Sequence, residues 1–194
     1  MNKLTRDELY SLEEYAQVRP QFRQKVLAHK KDRNVPLGPN LTLQFEDRLT
    51  MQYQVQEMLR IEKLFEQEEV EDELAAYNPL IPDGGNWKAT LMVEFEDPEE
   101  RKRRLGDLIG IEKAVWVRVE GFDKVRPIAN EDLDRTTEEK TSSVHFLRFE
   151  LSPEMRRAVK EGTAVDAGVD HQNYSEQTAP LPQRTRDALA QDLD

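Results

Sequence analysis

Apolar positions follow a helical period before Pro79 and alternate after Trp87. Thr5 reads as an N-cap with Glu8 completing a capping box, and Leu4 and Leu9 sit at the staple positions. Leu9, Leu12 and Ala16 then predict one apolar helix face. Arg19-Pro20 predicts a stop and a restart, because proline disfavours helical geometry in the residue before it and suits a first turn. The second helix is expected to reach about Lys31, with Phe22 and Val26 inward. Residues 35–40 hold two prolines and a glycine and read as a loop, and Leu41–Glu46 alternates as a half-buried strand. From Thr50 the helical period returns with Met51, Val55, Met58 and Phe65, and a shorter helix is predicted over 68–76. Residues 77–86 are rich in Pro, Gly and Asn and mark a boundary.

After that boundary one unit occurs twice. Residues 93–121 read strand, Asp-Pro-Glu, arginine-rich helix, glycine, strand. Residues 146–171 read strand, Ser-Pro-Glu, arginine-rich helix, glycine, strand. Asp97 is an expected N-cap before Pro98, and Gly110 an expected C-cap. The strands are predicted over 89–96, 115–119, 144–151 and 164–171, with a helix over Pro153–Lys160 and a last one starting near Pro182. Residues 122–142 are polar and aperiodic and read as a long loop. The pattern predicts one α+β domain over 1–194, mainly helical over 1–79 and strand-rich over 84–194. Its sheet is expected to be mostly antiparallel or mixed.

Composition narrows the function. The formal net charge is −11, which repels phosphate backbones and argues against a nucleic-acid partner. There is no cysteine, so the chain supplies no disulfide, thiolate zinc site, iron–sulphur ligand or cysteine nucleophile. No apolar stretch is long enough for a signal peptide or a membrane span, so a soluble cytoplasmic protein is expected. Glycine-rich nucleotide loops, His-Glu-x-x-His, Gly-x-Ser-x-Gly and Glu-x-x-His are all missing, and neither a cofactor nor a bound metal is expected.

One helical position stands out. At about 100° per residue, Glu62 falls inside the arc of Met51, Val55, Met58 and Phe65. A carboxylate withdrawn from water needs a cation or several donors. His29, Arg33 and Arg19 lie on helix faces that could supply one. Two readings stand: an internal ion pair that orients helices, or a small-ligand or proton-handling site. His145 shares strand parity with Leu147 and Phe149, and His171 with Val165, Ala167 and Val169, so both are expected on core-facing sides. Two histidines without a third ligand make no metal site. Arg101, Lys102, Arg103 and Arg104 are spread around their helix and read as a solvated face balanced by Glu99 and Glu100.

Six segments carry a family resemblance. They are the opening Lys-Leu-Thr-Arg-Asp-Glu-Leu-Tyr from Lys3, Gly38-Pro39-Asn40-Leu41-Thr42-Leu43, Gln56-Glu57-Met58-Leu59-Arg60-Ile61-Glu62, Tyr77-Asn78-Pro79-Leu80-Ile81-Pro82-Asp83-Gly84-Gly85, Arg148-Phe149-Glu150-Leu151-Ser152-Pro153-Glu154 and Val169-Asp170-His171. The chain resembles an uncharacterised bacterial family known as a domain of unknown function. The resemblance implies a redox or peroxide-defence context shared with rubrerythrin-like proteins and iron–sulphur oxidoreductases. It brings no catalytic residues with it. The expected function is a non-enzymatic accessory or interaction protein for such redox partners. The other reading is an enzyme or ligand-binding protein with a polar pocket between the N-terminal helices and the sheet, served by Glu57, Arg60, Glu62 and His29.

Overall fold

The computed structural model describes residues 2–137 and 139–194. Its long helices are α1 (Leu12–Lys30), α2 (Arg48–Glu62) and α3 (Gln67–Tyr77), with β1 (Asn34–Pro36) and β2 (Leu41–Glu46) between the first two. The rest runs β3 (Asn86–Val93), α4 (Pro98–Asp107), α5 (Ile111–Ala114), β4 (Val115–Val119), β5 (Ile128–Ala129), β6 (Val144–Glu150), α6 (Pro153–Lys160), β7 (Val165–His171), β8 (Tyr174–Gln177) and α7 (Gln183–Ala190). The fold is α+β.

The two repeated units interlock. Each sends its first strand into a five-stranded sheet of order β1-β2-β3-β6-β5 and its second into a three-stranded sheet of order β4-β7-β8. β3 pairs antiparallel with β6, with Trp87 opposite Phe149. β4 pairs antiparallel with β7, with Val117 opposite Ala167. Alternation aims Trp87, Leu91, Phe149, Val117 and Val169 into one core that both sheets share. Gly168 has no side chain because the Trp116 ring lies over it, 2.3 Å from where a Cβ would stand.

The helices bury a second core of Met51, Val55, Leu59, Val70 and Leu74, closed by Leu4 and Ile81. Asn78 fixes the N-terminal segment to the boundary turn, since its side chain accepts from Leu4 N at 2.7 Å and donates to Leu4 O at 3.0 Å. The chain end returns to the same turn: Asp194 N donates to Gly84 O at 3.0 Å. Among the described residues no helix is long and apolar enough to cross a membrane.

Several expectations need correction. The Thr5–Glu8 box caps only a 3-10 turn, Arg6–Glu8, and α1 starts later at a second box, Ser11 with Glu14. Pro20 does not divide the helix. It lies inside α1 with its ring and Ala16 both exposed, so the carbonyl that loses its partner can turn to water. Gly110 adopts φ 86° but stands before α5 rather than closing α4. The loop over 35–40 starts as β1, the long loop contains β5, and β8 follows β7 without a sequence signal that predicted it. One sheet was expected and two form. Position 138 of the long loop lies outside the described residues.

Candidate functional site

The residues singled out from sequence separate into two ion clusters. α1 crosses α2 so that Tyr15 and Arg19, one turn apart, both meet Glu57. Arg19 grips the carboxylate with two nitrogens, Nε to Oε1 at 2.7 Å and Nη2 to Oε2 at 2.9 Å. The Tyr15 hydroxyl donates to Oε1 at 2.8 Å, and Arg60 Nη2 donates to Oε2 at 3.1 Å. These donors, Arg19 foremost, hold the Glu57 carboxyl down at about 2. Burial and the hydrogen bond to Glu57 push the Tyr15 hydroxyl up.

The second cluster lies at the other end of α1. His29 Nε2 is 2.5 Å from Asp47 Oδ2, and Asp47 also caps α2 by accepting from Thr50 N at 2.9 Å. Arg33 Nε lies 3.0 Å from Asp47 as an ion pair without hydrogen-bond alignment. Its other nitrogens bind Asp192 at 2.8 and 2.9 Å and the Ala188 carbonyl at 3.0 Å. Arg33 is 1% exposed. Burial would pull its guanidinium down, but Asp192, Asp47 and Glu46 more than offset that. Burial pushes Asp192 up to about 6 against the pull of Arg33. Glu46, beside them, is pushed up by burial; Thr90 donates to its Oε1 at 2.7 Å while Oε2 is buried without a partner.

Glu62 joins neither cluster. It is exposed, and so is Phe65. The buried stripe of α2 is Met51, Val55 and Leu59, not the arc that enclosed Glu62. Lys63 takes a left-handed φ of 58° and ends the helix, so Phe65 was never part of its face. Glu57 and Arg60 therefore touch, while His29 and Glu62 stand apart from them. His145 and His171 also lie in different sheets. His145 is buried, with Ser142 O 3.1 Å from its Nε2 and Asn130 Nδ2 3.0 Å from its Nδ1, which assigns the proton to Nε2. Burial lowers its pKa. His171 is partly exposed, with Ile109 O 3.0 Å from its Nε2. Among the described residues no three His, Asp or Glu side chains converge as a metal site.

Two recesses have the makings of a binding site, and neither ion cluster lines them. A groove of about 560 Å³ runs from the start of α1 to the α2–α3 turn, lined by Leu9, Tyr10, Leu12, Leu64, Phe65 and Val70. Phe65 and Ile61 beside it are 65% and 61% exposed. A pocket of about 500 Å³ lies between α3 and the outer face of β3 and β6, with Lys88 and Arg148 on its floor.

A family model described as a protein of unknown function, DUF3501, matches residues 3–193. The chain belongs to this family. The DUF3501 chain is also similar to a crystal structure described as a novel protein of unknown function from Burkholderia pseudomallei K96243. The two are 49% identical, each is covered over 100% of its length, and the TM-score is 0.95. No curated protein matches.

Sequence reasoning missed Asp47, Asp192 and Lys88. Asp47 was signalled, since Asp-Arg-Leu-Thr before an apolar helix is a capping pattern. Lys88 was legible only as the outward parity of β3, without the helix that covers it. Asp192 reaches Arg33 across 159 residues, and nothing local announces that pairing.

Proposed function

We propose that this protein is a non-catalytic accessory module that docks a basic amphipathic segment of a partner protein in the groove beside the α2–α3 turn. The observation that carries it is Phe65, the most exposed large apolar side chain described, at the edge of a groove that mixes Leu9, Leu12, Leu64 and Val70 with Asp7, Glu13 and Glu14. Charge complementarity chooses the occupant. Between Glu62 and Glu73 seven acidic residues face one lysine. Glu73 shows the crowding, since burial and then the charges of Glu62 and Asp72 push its carboxyl up. An amphipathic helix with lysine or arginine beside its apolar stripe matches such a rim.

The resemblance to a family found among redox proteins makes rubrerythrin-like and iron–sulphur oxidoreductase proteins the partners to test. Purified candidates from the same genome are titrated against the protein by calorimetry. Binding that weakens with salt, and drops at least about tenfold on Phe65→Glu, is the expected result. Affinity unchanged by Phe65→Glu, or no binding by any candidate, overturns the proposal.

A further inference from the structure

The pocket under α3 is independent of that groove. One wall is apolar, formed by Ala76 of α3, Leu80 of the following turn and Phe146 of β6. The other carries charged groups, and nearly all of them already have a polar partner. Arg148 binds Glu131 through Nε at 2.8 Å and Nη2 at 2.7 Å, and also binds Glu150. Asp132 takes both Nη atoms of Arg135, each at 2.5 Å. Asp83 accepts from Gly85 N at 3.0 Å. Lys3 spends two donors on the carbonyls of Asn78 at 2.7 Å and Ile81 at 3.1 Å.

Lys88 is the exception. It stands opposite Arg148 across the β3–β6 ladder and is half-buried. Among the described residues its ammonium has no acceptor, either as a hydrogen bond or as an ion pair. Burial lowers its pKa and the Arg148 charge adds to that, while Glu131 and Asp83 hold it up. A charge drawn partly out of water with no acceptor is unfavourable, and a bound anion removes the penalty. The volume falls within the usual range for small-ligand sites.

We propose that this pocket binds a small monocarboxylate, its carboxylate on Lys88 Nζ and its short apolar body against Ala76, Leu80 and Phe146. An ammonium that has no acceptor among the described residues calls for a single anionic head group. A phosphate dianion would bring a second charge toward Glu131 and Asp132, which already have their cations. The remaining donor of Lys3 gives the carboxylate a second hydrogen bond.

Benzoate and hexanoate are the probes, with benzamide and inorganic phosphate as counter-probes. Carbon-detected NMR of the lysine Cε resonances reads Lys88 directly. Both carboxylates should shift its resonance at concentrations up to about 10 mM and raise its apparent pKa, because binding favours the charged amine. Lys88→Met should weaken benzoate at least about tenfold. Ala76→Trp, which fills the pocket and leaves the lysine in place, should do the same and keeps the test decisive if Lys88→Met folds poorly. Phe65→Glu should leave benzoate binding unchanged, which separates this site from partner docking. Equal binding of benzamide, no shift from either carboxylate, or unchanged affinity in Ala76→Trp overturns the proposal.

Discussion

Glu57 and Asp192 are each gripped by an arginine through two nitrogens, yet their protons are driven in opposite directions. Glu57 is held down at about 2 and Asp192 is pushed up to about 6. Bond lengths do not separate them, at 2.7 and 2.9 Å for Glu57 and 2.8 and 2.9 Å for Asp192. Solvent does. The Arg19 side chain keeps 33% of its surface in water and shares Glu57 with Arg60 and Tyr15. Arg33 keeps 1%, and Asp192 none. Near the surface, donors add to a carboxylate that water still helps to solvate. In the interior the same contact must first offset the loss of that water, and it does not fully do so. A bidentate ion pair is therefore weak evidence of stabilisation until its burial is known.

The sharpest way to break this comparison is to remove the buried cation. Arg33→Met leaves Asp47 and Asp192 in the interior, with His29 as the remaining basic side chain that touches Asp47 among the described residues. Urea melts should show a loss of about 3–5 kcal/mol. A loss below about 1 kcal/mol would mean that water reaches the site and that the two clusters are alike.

Proton linkage sharpens the contrast next. A carboxyl raised in the folded state contributes most when protonated, so its contribution falls as pH rises from its unfolded value to its folded one. For Asp192 that window runs from 3.8 to about 6. The stability of the native protein relative to Asp192→Asn should rise on acidification through it, by up to about 3 kcal/mol. Glu57 has the opposite sign. Its folded value is depressed, so its contribution is present above 4.5 and lost as pH falls toward about 2. Relative to Glu57→Gln, the native protein should weaken as pH falls from 5 toward 3, by about 1–2 kcal/mol because water screens the pair. Parallel pH profiles for the two variants would remove the distinction.

The same split between local and distant contacts decides how much was legible in the sequence. The bounds of Leu41–Glu46 and Pro153–Lys160 were legible to the residue, because alternation and a Ser-Pro start are local signals, although the strand expected to be half-buried is buried on both faces at every residue but Thr42. The repeated unit was legible too, although not that its strands go to different sheets. The helical stop at Pro20 failed because a proline on a wet helix face is tolerated when packing holds the turns on either side. The candidate site was half legible. Glu57 and Arg60 do meet, i to i+3 on one helix, and Arg19 finds a carboxylate as anticipated, but a different one. The buried pairing of Arg33 and the cover over Lys88 depend on chain segments that meet only in the fold.

The smallest expected effect falls on the residue that stood out most in the sequence. Glu62 was placed among core positions by counting Phe65 as part of its helix, and the left-handed Lys63 removes that support. Glu62 and Glu66 are both exposed, so Glu62→Gln and Glu66→Gln should each change stability by less than about 0.5 kcal/mol. The sign for Glu62 can be argued. Its charge is one of those that push Glu73 up, so neutralising it relieves a repulsion and should leave the fold level or slightly firmer. NMR titration of the Glu73 carboxyl should then show its pKa moving down toward 4.5 in Glu62→Gln. Paired denaturant melts supply the other half of the test. A loss above about 1 kcal/mol on Glu62→Gln alone would return that carboxylate to the interior and restore the reading made from the helical arc.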